Sequence, residues 1–160
     1  QGGKESGPLV EVPHEQGVIN RDIKPQNMVV EPDGVLKVMD FGMARLAKRQ
    51  SGVTQAGMVV GTPEYMAPEQ LMGDEIDARA DIYSAGCVIY ECLVGKPPLT
   101  EDKQYTLIAK LIEETATSPH ELNAEIPQAL SDLVMRTLAK KAADRTQTAT
   151  ELHDLLAAIG

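Results

Sequence analysis

One run in this sequence, Asn20-Arg-Asp-Ile-Lys-Pro-Gln-Asn27, gathers residue types that could move a charged group. Asp22 offers a carboxylate able to accept or orient a hydroxyl proton. Lys24, two residues on, supplies a compact positive charge. Asn27 and the more distant Asp40 offer oxygen ligands of the kind Mg²⁺ takes, because that ion binds few protein oxygens and keeps several waters. A carboxylate to orient a hydroxyl, a cation for the moving group and oxygens for a metal are the parts that phosphoryl transfer needs.

These residues must be brought together by the chain between them. Residues 28–30 and 35–39 read as short strands, and Glu31-Pro-Asp-Gly34 between them is turn chemistry: Pro32 presets φ and Gly34 permits a positive φ. The resulting hairpin would place Asn27 at the start of one strand and Asp40 at the end of the other, both at its open end. From residue 44 to 58 the periodicity fades into an exposed loop containing Ser51 and Thr54. Residues 79–94 read as a helix that is apolar nearly all round, hence central and buried, and Gly95-Lys-Pro-Pro98 stops it. Residues 105–112 and 128–138 carry apolar residues at helical spacing. Thr148-Ala-Thr-Glu151 reads as a capping box opening a last helix over 152–159. Residues 1–17, with Gly2, Gly3, Gly7, Pro8 and Pro13, read as loop or frayed helix. The order is a hairpin, a long loop and four helices: an α+β fold, mostly α.

Composition narrows the function. The formal charge of −9 argues against a nucleic-acid or anionic-membrane surface. The longest apolar stretch, residues 82–94, is interrupted by Ser84 and Glu91 and is too short to span a bilayer. Cys87 and Cys92 lie five apart on one helix, too far to bridge within it, and two buried thiols suit a reducing, cytoplasmic setting. With one Phe, four Tyr and no Trp, the core falls to aliphatic residues and Met.

The order of motifs adds a family. Arg21-Asp-Ile-Lys-Pro-Gln-Asn27 is followed by Asp40-Phe-Gly42, Gly61-Thr-Pro-Glu-Tyr65 and Ala67-Pro-Glu69. This set resembles the protein kinases, over about residues 18–159, and Gly61 to Gln70 looks most like bacterial Ser/Thr kinases. The first motif fixes five positions, so a chance match has odds of ~10⁻⁴ on average composition. The resemblance implies a kinase C-terminal lobe over 18–160: a small β-hairpin and a helical bundle around a central buried helix. It implies Asp22 as the catalytic carboxylate and Lys24 as the charge on the transferred phosphoryl. Lys24, Gln26, Asn27 and Asp40 would bind ATP, with Asn27 and Asp40 holding Mg²⁺ or Mn²⁺. Lys24 also implies Ser/Thr rather than Tyr as the target. Thr62 would seat a protein substrate, although its hydroxyl also reads as a turn residue. Asp81 would receive catalytic-loop N–H groups, although a carboxylate there also suits a helix N-terminus. Glu69 and Arg145 would form a structural ion pair. Arg21 would answer a phosphate on Thr54, or secondarily Ser51.

Two departures from the family stand out. Asn20 occupies the place of a nearly invariant His that packs under Asp40-Phe-Gly42, which implies weakened rather than abolished activity. The Gly-rich loop and strand lysine of an N-terminal lobe have no counterpart here, and the resemblance implies that such a lobe is needed in cis. Two functions are therefore open: a phosphoryl-transferring fragment, or a non-catalytic kinase-like binding module.

Overall fold

The computed structural model describes residues 19–34, 36–38 and 62–160. The catalytic-type run ends in a 3₁₀ turn, Pro25–Asn27, that leads directly into β1, Met28–Val30. β1 pairs antiparallel with β2, Leu36–Val38, in the register Met28 opposite Val38 and Val30 opposite Leu36. The connection closes with the Gly34 N–H donating to the Glu31 carbonyl at 2.8 Å, and Gly34 takes φ +84°, a conformation that favours glycine. Residues 35, 39 and 40, which the sequence places at the second strand's ends, lie outside the described residues, as do the 44–58 loop and residues 1–17.

Among the described residues six α-helices follow: α1 Pro68–Met72, α2 Ala78–Val94, α3 Gln104–Glu113, α4 Pro119–Leu122, α5 Gln128–Thr137 and α6 Ala149–Ile159. The described residues are mostly helical with one two-stranded sheet. Four helices are the ones the periodicity predicts. α1 and α4, at five and four residues, are too short to carry a periodic signal and were not expected. Each has Pro at its first position, where the missing N–H costs nothing.

α2 begins on Asp77, whose carboxylate accepts the Arg79 N–H, and ends on Gly95 at φ +92°. Its residues Ala80, Tyr83, Cys87 and Tyr90 join Ile23, Tyr65, Ala67, Val134 and Leu138 in the largest core cluster. Helix α5 comes so close that a Cβ on Gly86 would stand 1.9 Å from Thr137 Oγ1. A second cluster unites Met66 and Leu71 with Leu99, Leu107 and Leu111, fastening α1 to α3. Ile82, Leu133 and Leu152 bind α6 to the centre. The Thr148 hydroxyl caps α6 by accepting the Glu151 N–H at 3.0 Å, but Glu151 takes the N–H of Gln147 at 2.8 Å, so the capping box closes one residue early.

The expectation of two buried thiols needs correction: Cys87 is buried and Cys92 is exposed. Five residues turn an α-helix by about 140°, so the two side chains face different ways. Burial pushes the Cys87 thiol well up from its ordinary value. Among the described residues, no helix is long and apolar enough to cross a membrane.

Candidate functional site

The polar run of residues 20–27 folds around one apolar anchor. Ile23 is buried in the main cluster, so its neighbours Asp22 and Lys24 lie half-exposed on either side of it. Lys24 precedes Pro25 and is extended, φ −159° and ψ 159°, as a residue before proline prefers. The 3₁₀ turn then reverses the chain, with the Asn27 N–H donating to the Lys24 carbonyl at 3.0 Å. That reversal carries Asn27 back to Asp22. Its Nδ2 donates both to the Asp22 carbonyl and to Asp22 Oδ2, each at 2.8 Å. The other carboxylate oxygen, Oδ1, lies 3.6 Å from Lys24 Nζ. Lys24 Nζ in turn donates to Thr62 Oγ1 at 3.2 Å. Asp22, Lys24, Asn27 and Thr62 therefore form one cluster, drawn from positions up to forty residues apart.

The loop rests on helix α2. Asp81, 2% exposed, receives the N–H of Asn20 on Oδ2 at 2.8 Å and that of Arg21 on Oδ1 at 2.9 Å. Arg21 adopts φ +66°, the left-handed region that non-glycine residues seldom occupy. The Gln70 side chain braces the same residue by donating to the Arg21 carbonyl at 3.4 Å. Thr62 is extended and leads into the 3₁₀ turn Pro63–Tyr65. That turn is tied to α2 twice: Ser84 Oγ donates to the Tyr65 carbonyl at 2.6 Å, and the Tyr65 hydroxyl donates to Glu91. Burial, followed by the bond to Glu91, drives the Tyr65 hydroxyl far above the ordinary tyrosine range, so it stays a donor.

The family model described as the protein kinase domain matches residues 9–155. The chain belongs to the protein kinase family. It is 41% identical over 141 residues to the serine/threonine-protein kinase PknB of Mycolicibacterium smegmatis, covering 88% of this chain and 23% of that protein. It is 43% identical over 143 residues to a protein described as a probable serine/threonine-protein kinase from Clostridium acetobutylicum, covering 89% of this chain and 22% of the relative. PknB of Mycobacterium leprae is 41% identical over 140 residues, 88% of this chain and 22% of that protein. The chain thus spans less than a quarter of the length of these relatives, and by family it is of the bacterial serine/threonine-kinase type.

Of the other kinase positions read from sequence, Glu69 and Arg145 lie face to face. Arg145 NH1 and NH2 donate to the two Glu69 carboxylate oxygens at 2.7 and 2.8 Å. The remaining guanidinium donors reach the carbonyls of Arg79, Ala139 and Lys140, and the plane lies 5.1 Å from the Tyr83 ring centre. Gln26 is exposed on the 3₁₀ turn and does not join the Asp22 cluster. Asp40 and Thr54 lie outside the described residues.

Sequence reasoning missed two contributors, Gln70 and Ser84, and read Asn20 only as a departure from the family pattern. Gln70 had a signal. It sits at the third position of α1 after Pro68, and its Oε1 accepts the Ala67 N–H at 2.9 Å, one half of a capping box. Its second bond, to the catalytic-type loop, follows only from the fold.

Proposed function

We propose that this chain is the phosphoryl-transferring half of a Ser/Thr protein kinase, acting on Mg-ATP and a protein hydroxyl. The observation that carries the reading is the cluster itself: one carboxylate oxygen of Asp22 held by Asn27, the other facing Lys24, and Lys24 shared with Thr62. Asp22 orients the substrate hydroxyl and takes up its proton, using the Oδ1 that faces Lys24. Lys24 places its charge where negative charge gathers on the moving phosphoryl. The Thr62 hydroxyl fixes the ammonium and borders the place where the target Ser or Thr enters.

The donor chemistry suits a hard divalent cation. Asn27 spends its amide N–H groups on Asp22, and its amide oxygen makes no hydrogen bond among the described residues. Asn27 Oδ1 and the Asp40 carboxylate are the two protein oxygens that would hold Mg²⁺ or Mn²⁺, a number typical for that ion beside nucleotide phosphates. When bound, the metal neutralises phosphate charge. Protein kinases generally use ATP and Mg²⁺. The Gly-rich loop and strand lysine that cover the nucleotide have no counterpart in this sequence. The proposal therefore includes an N-terminal lobe in cis, outside these residues. It also assigns Arg21 to pair with a phosphate on Thr54, which phosphopeptide mapping of active protein would detect.

The test is transfer of radiolabel from γ-labelled Mg-ATP to a peptide pool by this chain joined to a kinase N-terminal lobe. Label on Ser or Thr that disappears with Lys24→Ala supports the reading. A folded protein that labels nothing overturns it in favour of a binding module.

A further inference from the structure

Three consecutive N–H groups leave the turn at residues 20–22, and each has its own acceptor. The first two, from Asn20 and Arg21, go to the Asp81 carboxylate. The third, from Asp22, goes to the side-chain oxygen of Asn20 at 3.0 Å. That contact is an Asx turn, in which a side-chain oxygen accepts the N–H two residues on. The assignment of the amide is chemical: a backbone N–H faces it, so the facing atom is the oxygen. Asn20 is 1% exposed, and its Nδ2 is buried without a hydrogen-bond partner among the described residues. Leaving a buried amide donor unpaired is costly, so this residue is not there for packing alone. An apolar residue would fill the same space without that penalty.

We infer that Asn20 is the positioning residue of Asp22. Its Oδ1 takes the Asp22 N–H, sets the φ and ψ at which Asp22 leaves the left-handed Arg21, and so directs the carboxylate toward Lys24 and Asn27. Asp81 anchors the loop to α2, and Asn20 orients the residue that the anchor does not reach. The residue that departs from the family pattern thus has a positive role in this chain, where the sequence alone suggested a defect. The inference rests on the phosphoryl-transfer reading of the site, but its geometry can be tested without any activity.

The experiment is residue-resolved amide hydrogen exchange on the 160-residue chain, with Asn20→Leu, which keeps the bulk and removes the acceptor, and Asn20→Ser, which restores a neutral oxygen. Asn20→Leu should speed exchange at the Asp22 amide by about tenfold while the Arg21 amide, held by Asp81, stays protected. Asn20→Ser should recover part of the protection, since a hydroxyl makes the same turn more weakly. Should the Leu variant fail to fold, Asn20→Ala, which also removes the acceptor, decides alone: selective loss of protection at Asp22 supports the inference, and unchanged exchange at Asp22 overturns it. In the transfer assay, Asn20→Leu should lower kcat by about tenfold and leave the KM for ATP unchanged. A KM effect with kcat intact would overturn the positioning role. A wild-type protein that transfers nothing would end the kinase reading, and the exchange pattern would still judge the Asn20 to Asp22 link.

Discussion

The Asp81 carboxylate accepts the backbone N–H of Arg21 at 2.9 Å and thereby holds that residue at φ +66°. A non-glycine residue in this region costs of order 1–3 kcal/mol and persists only when its surroundings over-determine it. Asp81 is one part of that constraint, and the Gln70 amide on the Arg21 carbonyl is another. Asp81→Asn would turn one acceptor oxygen into a donor facing an N–H. We expect it to lose about 1–3 kcal/mol in urea unfolding. The Arg21 and Asn20 amides should lose their exchange protection together. A change below about 0.5 kcal/mol, the level of an ordinary surface substitution, would show that the loop is held elsewhere.

The Glu69–Arg145 pair carries a larger stake. Arg145 is 1% exposed and Glu69 is the carboxylate its guanidinium pairs with, the other hydrogen bonds going to neutral carbonyls, so removing Glu69 leaves an uncompensated buried cation. Glu69→Ala should cost about 3–5 kcal/mol, close to the whole stability of a small domain. Arg145→Lys should also be severe, because an ammonium cannot match the fork of a carboxylate. The midpoint of urea unfolding reads both.

Gly86→Ala tests the contact between α2 and α5. The added Cβ would lie 1.9 Å from Thr137 Oγ1 and 2.8 Å from Thr137 Cβ, so the helices must separate. A loss of about 1–3 kcal/mol is expected. Adding Thr137→Ala should return only part of it, since the Cβ clash remains. Thermal unfolding of the single and double variants would show full recovery if the hydroxyl were the sole obstacle.

Asp77 gives a pH signature. The Arg79 guanidinium, hydrogen-bonded to its carboxylate, outweighs desolvation and holds the group below its ordinary 3.8. A depressed folded-state value means that the contribution is complete above 3.8 and is lost as pH falls through the lower folded-state value. Asp77→Asn keeps an N-cap acceptor for α2 and removes the titration. Its stability should therefore fall less steeply on the acid side of 3.8 than that of the wild type. Equal acid slopes would assign the acid sensitivity to other carboxylates.

The hairpin was legible because its signals are local: turn residues at 31–34 and β-branched or apolar residues on either side. The four longer helices were legible from spacing and from their stops at Gly95 and the cap at Thr148. Other features were not, because distant partners decide them. Nothing near Gly86 announces that Thr137 presses against it. Nothing near Cys92 says that its side chain faces away from the core that Leu93 and Val94 pack against. Asn20 read as a departure from a family pattern, and only the fold shows its oxygen on the Asp22 N–H. The residue types of the candidate site were therefore readable from the sequence, whereas the bonds that orient them belong to tertiary structure.

The central claim is that Asp22 carries phosphoryl transfer. The most direct measurement places this chain in the matching position of the Mycolicibacterium smegmatis kinase and compares Asp22 with Asp22→Asn, under saturating Mg-ATP and a Ser/Thr peptide. The account predicts an active chimaera whose kcat falls by at least ~10²-fold in the variant, with little change in KM. Equal turnover by the two proteins, or a folded chimaera with no turnover at all, would contradict it.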